Sequence, residues 1–251
     1  MTKKQESITD RLSPYIAVVG LLVIWQIFSD MQVVPKYLLP SPTDVIKAFI
    51  ADYELIFQHT RYTMVEAFAG LGIGFTLGFI LAILMDLSIV FKKMFYPLVI
   101  ITQTIPTVAI APLLVIWLGY GLTPKITLVA ITSFFPVLIS MTDGMSSVDN
   151  DSINLIRAMG ANKYQIYAMV KLPASLKSLF SGLRISLSYA IIGAVVAEWL
   201  GGFNGIGVYM TRVRKSYAFD KMFAVIFFIS ALSLISVYLL KLLEKKLIKY
   251  E

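Results

Sequence analysis

An all-α membrane protein with six transmembrane helices is the fold class this sequence predicts, and three observations carry it. Of the 251 residues, 58% are hydrophobic and only 15% are charged, against about a quarter charged in a soluble domain. The apolar residues are blocked rather than dispersed, in runs of about 20 with few charges, the length that crosses a bilayer as helix. Short polar or proline-bearing segments separate the runs. The chain therefore reads as an N-terminal segment, 1–12, followed by a single transmembrane domain, 13–251.

The first span covers 13–29. The start, MTKKQESITDRLSPYIAVVGLLVIWQIF, is basic and then apolar, as a signal peptide is. However, Ser-Asp-Met-Gln follows in place of a small-residue cleavage site, so a retained span is expected. Segment 30–62 is more polar, and Pro35, Pro40 and Pro42 forbid a continuous helix there. Ser41 as N-cap and Pro42 in the first turn begin a short helix, whose apolar face would be Val45, Ile46, Phe49 and Ile50. The lone histidine, His59, is placed in this outer loop.

The second span, 63–87, contains AGLGIGFTLG. Gly70, Gly74 and Gly78 fall four apart, on one helix face, where a neighbouring backbone can approach closely. Packing within the chain is the main expectation, and a dimer seam or a moving contact the alternative. The third span, 95–118, reads FYPLVIITQTIPTVAIAPLLVIWLGYG and holds Pro97, Pro106 and Pro112. Interior prolines free carbonyls that need partners in lipid, so this span does not face lipid all round. Gln103, Thr104 and Thr107 gather about the central proline. They either satisfy those backbone groups or line a translocation path.

Spans four to six are read at 124–142, which contains Pro136, 178–200 and 222–243. Phe134, Phe135 and Tyr189 are further candidates to border the path. Glu198, in AVVAEWLGG, ends span five at its outer side, where a charge costs less than the roughly 2.5–3.5 kcal/mol of a bilayer-centre position. It reads equally as a structural anchor and as a gate or solute contact. No chain of acids crosses a span, so no proton relay is expected.

Orientation follows from the basic residues. With both termini on one side, that side carries thirteen Lys and Arg, including Lys92, Lys93, Arg157 and the tail KLLEKKLIKY, against eight on the other. The bias puts both termini in the cytoplasm; the cluster 212–221 dissents. The net charge of +7 is then a membrane-surface feature. No basic patch interleaved with aromatics points to nucleic acid. The chain has no cysteine, which removes disulfides, thiolate chemistry and Cys-ligated zinc, and its single histidine argues against a zinc site or a Ser-His-Asp triad. No G-x-x-x-x-G-K-[ST] loop is present, so the chain has no nucleotide site of that kind.

Segment 143–177 is the longest cytoplasmic connection. Asp149, Asn150 and Asp151 offer N-cap oxygens. Ile153, Leu155, Ile156 and Met159 then make a short amphipathic helix that Gly160 ends. Asn162 caps a second helix containing Tyr164, Ile166 and Tyr167, which Leu172-Pro173 is expected to stop. Such a pair can lie on a membrane surface or dock into a groove of another protein.

The run from Gly160 to Pro173 resembles the cytoplasmic loop of binding-protein-dependent ABC importer permeases, E-A-A-x3-G-x9-I-x-L-P. The glycine-to-proline spacing matches, with Val170 for Ile, whereas Asn154, Leu155 and Ile156 stand where the family has E-A-A. LLPSPTDVIKAF, IPTVAIAPLLVIWLGYG and AEWLGGFNGIGVYM are similar to permeases of the nitrate, sulfonate and taurine type. INLIRAMGANKYQIYAMVKLP, SGLRIS and GVYMTRVRKS look most like permeases for the thiamine pyrimidine precursor. The resemblance covers nearly the whole chain.

The resemblance implies the type I ABC importer permease fold in the bacterial cytoplasmic membrane, with a cytoplasmic coupling helix. Asn154, Ala158, Met159, Gly160, Ala161, Tyr164 and Pro173 would mark the loop that docks on the ATPase. The partners would be a second copy of the chain, two cytoplasmic ATPase subunits carrying ATP and Mg, and an external substrate-binding protein. The chain itself would bind no cofactor and catalyse no reaction. The rivals from another class are a stand-alone secondary carrier, which the missing buried acids disfavour, and a membrane-embedded enzyme, which would need a cluster of His, Asp or Glu at one depth.

Overall fold

The computed structural model describes the backbone of residues 8–248 and the side chains of residues 16–248, so the expected segment 1–12 lies largely outside the described residues. All regular structure among them is helical: α1 (Ile8–Asp30), α2 (Pro42–Leu87), α3 (Ile89–Gln103), α4 (Thr107–Leu118), α5 (Leu122–Ser146), α6 (Asn150–Ala158), α7 (Lys163–Ile166), a π-helical turn (Tyr167–Lys171), α8 (Leu172–Trp199), α9 (Ile206–Lys215) and α10 (Phe219–Leu247). Four helices are long and apolar enough to cross a membrane, namely α2, α5, the 163–199 run and α10. The α3–α4 pair makes a fifth if it is one broken span; the described apolar part of α1, Ile16–Asp30, is shorter.

Two compact units divide the described chain. The first comprises residues up to Phe57 together with Tyr209–Ile229. Here Val45, Ala48 and Ala224 are buried together, with Trp25, Phe49 and Phe223 against them, and the Trp25 ring lies 5.8 Å from Phe223 and 5.6 Å from Phe227. The start of α2 is fixed as its sequence expects. Ser41 Oγ accepts from Asp44 N–H and donates to the Asp44 carboxylate at 2.7 Å, while Asp44 takes Ser41 N–H, a reciprocal cap. The Ser41 hydrogen bond holds the Asp44 carboxyl below its ordinary pKa.

The helix begun at Pro42 does not end as a short element. It continues as a 46-residue helix through the second span, with one non-helical residue at Asp52 (φ −112°, ψ 15°). The three prolines that exclude helix upstream all precede or open this helix, so no proline after Pro42 interrupts it. Asp52 anchors the site of the kink. Its carboxylate takes both contacts of Lys221 Nζ, at 2.9 and 2.8 Å, and the Tyr209 hydroxyl at 2.8 Å.

The second unit, Gln58–Val208 with the chain from Ser230 on, is centred on α5 against α8. The two approach closely through small residues: a Cβ on Gly182 would lie 2.6 Å from Pro136 O, and one on Gly144 2.6 Å from Ser178 Cβ. Ser186 Oγ donates across the pair to Ser133 O at 2.7 Å. Met85, Val137, Leu138, Met141, Met145 and Leu179 form the apolar core. The α2 glycine face meets α5. A Cβ on Gly74 would come within 2.6 Å of Ala130 O and one on Gly78 within 2.9 Å of Phe134 O, and one on Gly70 would collide with Val129. The close approach is therefore made inside the chain.

The third span is broken at its central proline: α3 and α4 meet at a bend of 96° across residues 104–106, where Pro106 has no N–H to continue the ladder. One expectation about proline is corrected: Pro173 stops nothing and sits in the first turn of α8. The preceding turn is widened to a π-helix, with Leu172 N–H donating five residues back to Tyr167 O. That widening takes up the register that proline would otherwise break. A further element was not expected at all: α9 follows the glycine-rich turn 201–205, with Gly201, Gly202 and Gly205 all at positive φ.

Candidate functional site

The break between α3 and α4 opens a cavity of about 660 Å3 in the second unit, bordered also by α5 and α8. Gln103, Thr104 and Thr107 lie along the break, and Phe135 and Tyr189 reach the same space from α5 and α8. Thr132, Ser140 and Ile185 complete the contributions most relevant to its chemistry. Thr104 Oγ1 donates to Ile101 O at 2.7 Å and Thr132 Oγ1 to Val129 O at 2.9 Å, so both hydroxyls are partly absorbed by their own helices.

Two path candidates lie elsewhere. Phe134 is adjacent in sequence but points into the apolar core, edge-on to Phe135 at 5.1 Å. Glu198 is 1% exposed and outside the cavity lining. Its carboxylate accepts Thr63 Oγ1 at 2.7 Å and Gly207 N–H at 2.5 Å. This is the geometry of an anchor: Glu198 holds the turn from Gly201 to Gly207 onto α2. Gly205 and Gly207 leave no room for a Cβ beside that carboxylate.

The same node contains residues that the sequence reading passed over. His59 is 4% exposed within α2, not in a loop, and its Nδ1 accepts Gly205 N–H at 3.0 Å. Thr63 Oγ1 also accepts Ile206 N–H at 2.9 Å. Beside them Lys125, 6% exposed, meets Glu66, 1% exposed, at 2.8 Å. The signal was present in the spacing: His59, Thr63 and Glu66 are four and three apart, one polar stripe along one face of α2.

The 143–177 segment folds as two short helices around a glycine corner. Asp149 side chain accepts Asp151 N–H to start α6, and Gly160, at φ +90°, turns the chain. Asn162 then caps α7 with a full capping box: its side chain accepts Gln165 N–H at 2.9 Å, and Gln165 Oε1 accepts Asn162 N–H at 2.8 Å. Large apolar side chains at this corner are exposed, namely Leu155 (63%), Met159 (76%) and Tyr164 (81%). Asn154 and Ala158 are exposed beside them, Ala161 half-buried. Behind the corner, Lys171 Nζ pairs with Asp86 at 2.9 Å and Tyr167 OH donates to Met145 Sδ at 3.0 Å. These contacts tie the base of the corner to the core and leave its tip bare. No group of side chains able to hold a metal occurs among the described residues.

A "Probable ABC transporter permease protein" of Haemophilus influenzae is 37% identical over 89% of this chain and 91% of its own length. The "Formylaminopyrimidine transport permease protein ThiX" of Halalkalibacterium halodurans is 35% identical over 95% of this chain and 96% of its own. Among solved structures, an amino acid ABC transporter superposes with a TM-score of 0.64 over 80% of this chain and 96% of that one, at 16% identity. That last likeness speaks for the fold. Residues 74–249 match the family described as "Binding-protein-dependent transport system inner membrane component", and with its several membrane-length helices the chain belongs to that family as a multi-pass membrane protein.

Proposed function

We propose that this chain is the membrane-spanning subunit of an ATP-driven importer, forming the path for a small polar solute. Two copies assemble with two cytoplasmic ATPase subunits, which carry ATP and Mg, and with an external binding protein that delivers the solute. Both termini face the cytoplasm of the bacterial cytoplasmic membrane. The observation that carries the reading is the α6–α7 corner: a rigid, capped hairpin whose Leu155, Met159 and Tyr164 side chains are exposed. An exposed apolar tip on a structured base fits a groove in another protein.

ATP binding draws the ATPases together, and the corners move with them. The broken and glycine-packed helices then shift between inward- and outward-open arrangements, as far as ATP binds one arrangement better than the other. The preferred solute is a thiamine pyrimidine precursor, supported by the 35% identical formylaminopyrimidine permease; sulfonate, taurine or nitrate is the alternative within the same role. The test is purification of the tagged chain from native membranes. An ABC-type ATPase co-purifies if the reading is right; a chain whose solute uptake is driven by an ion gradient with no ATPase is a secondary carrier.

A further inference from the structure

We infer that the cavity at the α3–α4 break is a solute site that accepts a neutral, flat, hydrogen-bonding molecule and rejects anions, so that the membrane subunit shares in specificity. This rests on the importer reading and deepens it, by placing discrimination between neutral and anionic solutes in the wall of this cavity. The argument is the chemistry of the wall. Of the 17 residues around the 660 Å3 space, none is Asp, Glu, Lys, Arg or His. An anion leaving water for this wall meets no countercharge, and an unpaired charge in an apolar setting is costly.

The wall is nonetheless polar in a specific way. The Gln103 amide and the hydroxyls of Thr107, Ser140 and Tyr189 line it and have no side-chain hydrogen bond among the described residues. Each can both donate and accept. The backbone adds the same balance. The end of α3 brings carbonyl groups and the start of α4 brings N–H groups, and Pro106 gives α4 no side-chain cap. Partial charges of opposite sign thus meet at one break and favour neither cation nor anion. Phe135, Ile185 and the Tyr189 ring supply flat apolar surface. The volume lies within the roughly 300–1,000 Å3 of small-molecule sites. A neutral heteroaromatic ring with amino or amide edges uses both the donors and the acceptors of this wall, whereas a sulfonate can only accept from it and leaves its charge without a cation.

Because the chain has no cysteine, Ser140→Cys gives a single thiol in the wall of the assembled transporter. The measurement is its rate of maleimide labelling in membranes, without binding protein, in the presence of 4-amino-5-hydroxymethyl-2-methylpyrimidine or of ethanesulfonate at equal concentration. The pyrimidine is expected to slow labelling about tenfold near saturation and ethanesulfonate to leave it unchanged. Adding Gln103→Leu is expected to abolish the protection. Equal protection by ethanesulfonate overturns the inference. So does a thiol that is never labelled, which means that a second copy or lipid fills the space. Absence of an ATPase from the same preparation sinks the importer reading instead, and is scored separately from labelling.

Discussion

Lys125 and Glu66 meet at 2.8 Å with both side chains buried, and the pair ties α5 to α2. Removing one partner strands the other, so Lys125→Met is expected to destabilise the protein by about 3–5 kcal/mol. The double variant with Glu66→Gln should recover most of that loss. Thermal unfolding in detergent measures both; equal stability of Lys125→Met and wild type contradicts a pairing role. Outside the spans, burial alone would raise the Asp52 pKa, but the hydrogen bonds from Lys221 and Tyr209 outweigh it and hold it below the ordinary carboxylate value. A depressed folded pKa contributes stability above the ordinary value and loses it as pH falls through the folded one. Stability should therefore drop on acidification below about pH 4, and Asp52→Asn should flatten that part of the profile. At this scale the sequence exposed the oddities but not the pairings. Glu198 stood out as an acid in an apolar run. Its partners Thr63 and Gly207, and the Glu66–Lys125 pair, lie on different elements that only the tertiary fold brings together.

Helix packing was more legible than helix continuity. Glycines at 70, 74 and 78 announced a close contact, and α5 fills it. A large side chain there has nowhere to go: Gly74→Leu is expected to cost about 1–3 kcal/mol or more, read as a lower unfolding temperature, whereas Gly72→Leu, with nothing within 4 Å of its Cβ, should be tolerated. Equal effects of the two would contradict the seam. Proline was the misleading signal. Pro97, Pro112 and Pro136 all sit inside helices, Pro106 breaks one, and Pro173 follows a π-turn. Whether a proline bends its helix depends on what satisfies the freed carbonyl and where the chain can widen, and that is decided by neighbours distant in sequence. The outer helix was expected to be short for a related reason: hydropathy ends a span where the apolar run ends, but α2 keeps its helix through polar residues with His59, Thr63 and Glu66 bonded on one face.

For the molecule as a whole, the all-helical membrane class was readable because membrane-length apolar runs are a one-dimensional signal; the six expected spans compare with four membrane-length helices among the described residues, or five with the bent α3–α4 pair. The cavity was readable only in part. Gln103, Thr104, Thr107, Phe135 and Tyr189 converge on it, while Phe134 turns to the core, since adjacent residues on a helix face different directions. The account places the energy input at the α6–α7 corner, where Gly160 at φ +90° sets the turn and Ala158 stands exposed beside it. Gly160→Pro, whose φ cannot follow, is expected to abolish uptake without preventing membrane insertion, assayed by transport and by protein level in membranes. The most direct test exploits the absence of cysteine: Ala158→Cys, labelled with a photoactivatable maleimide in native membranes and irradiated. The account predicts one dominant adduct, with an ATPase subunit. Adducts with lipid alone, from a chain whose uptake remains ATP-dependent, would contradict it.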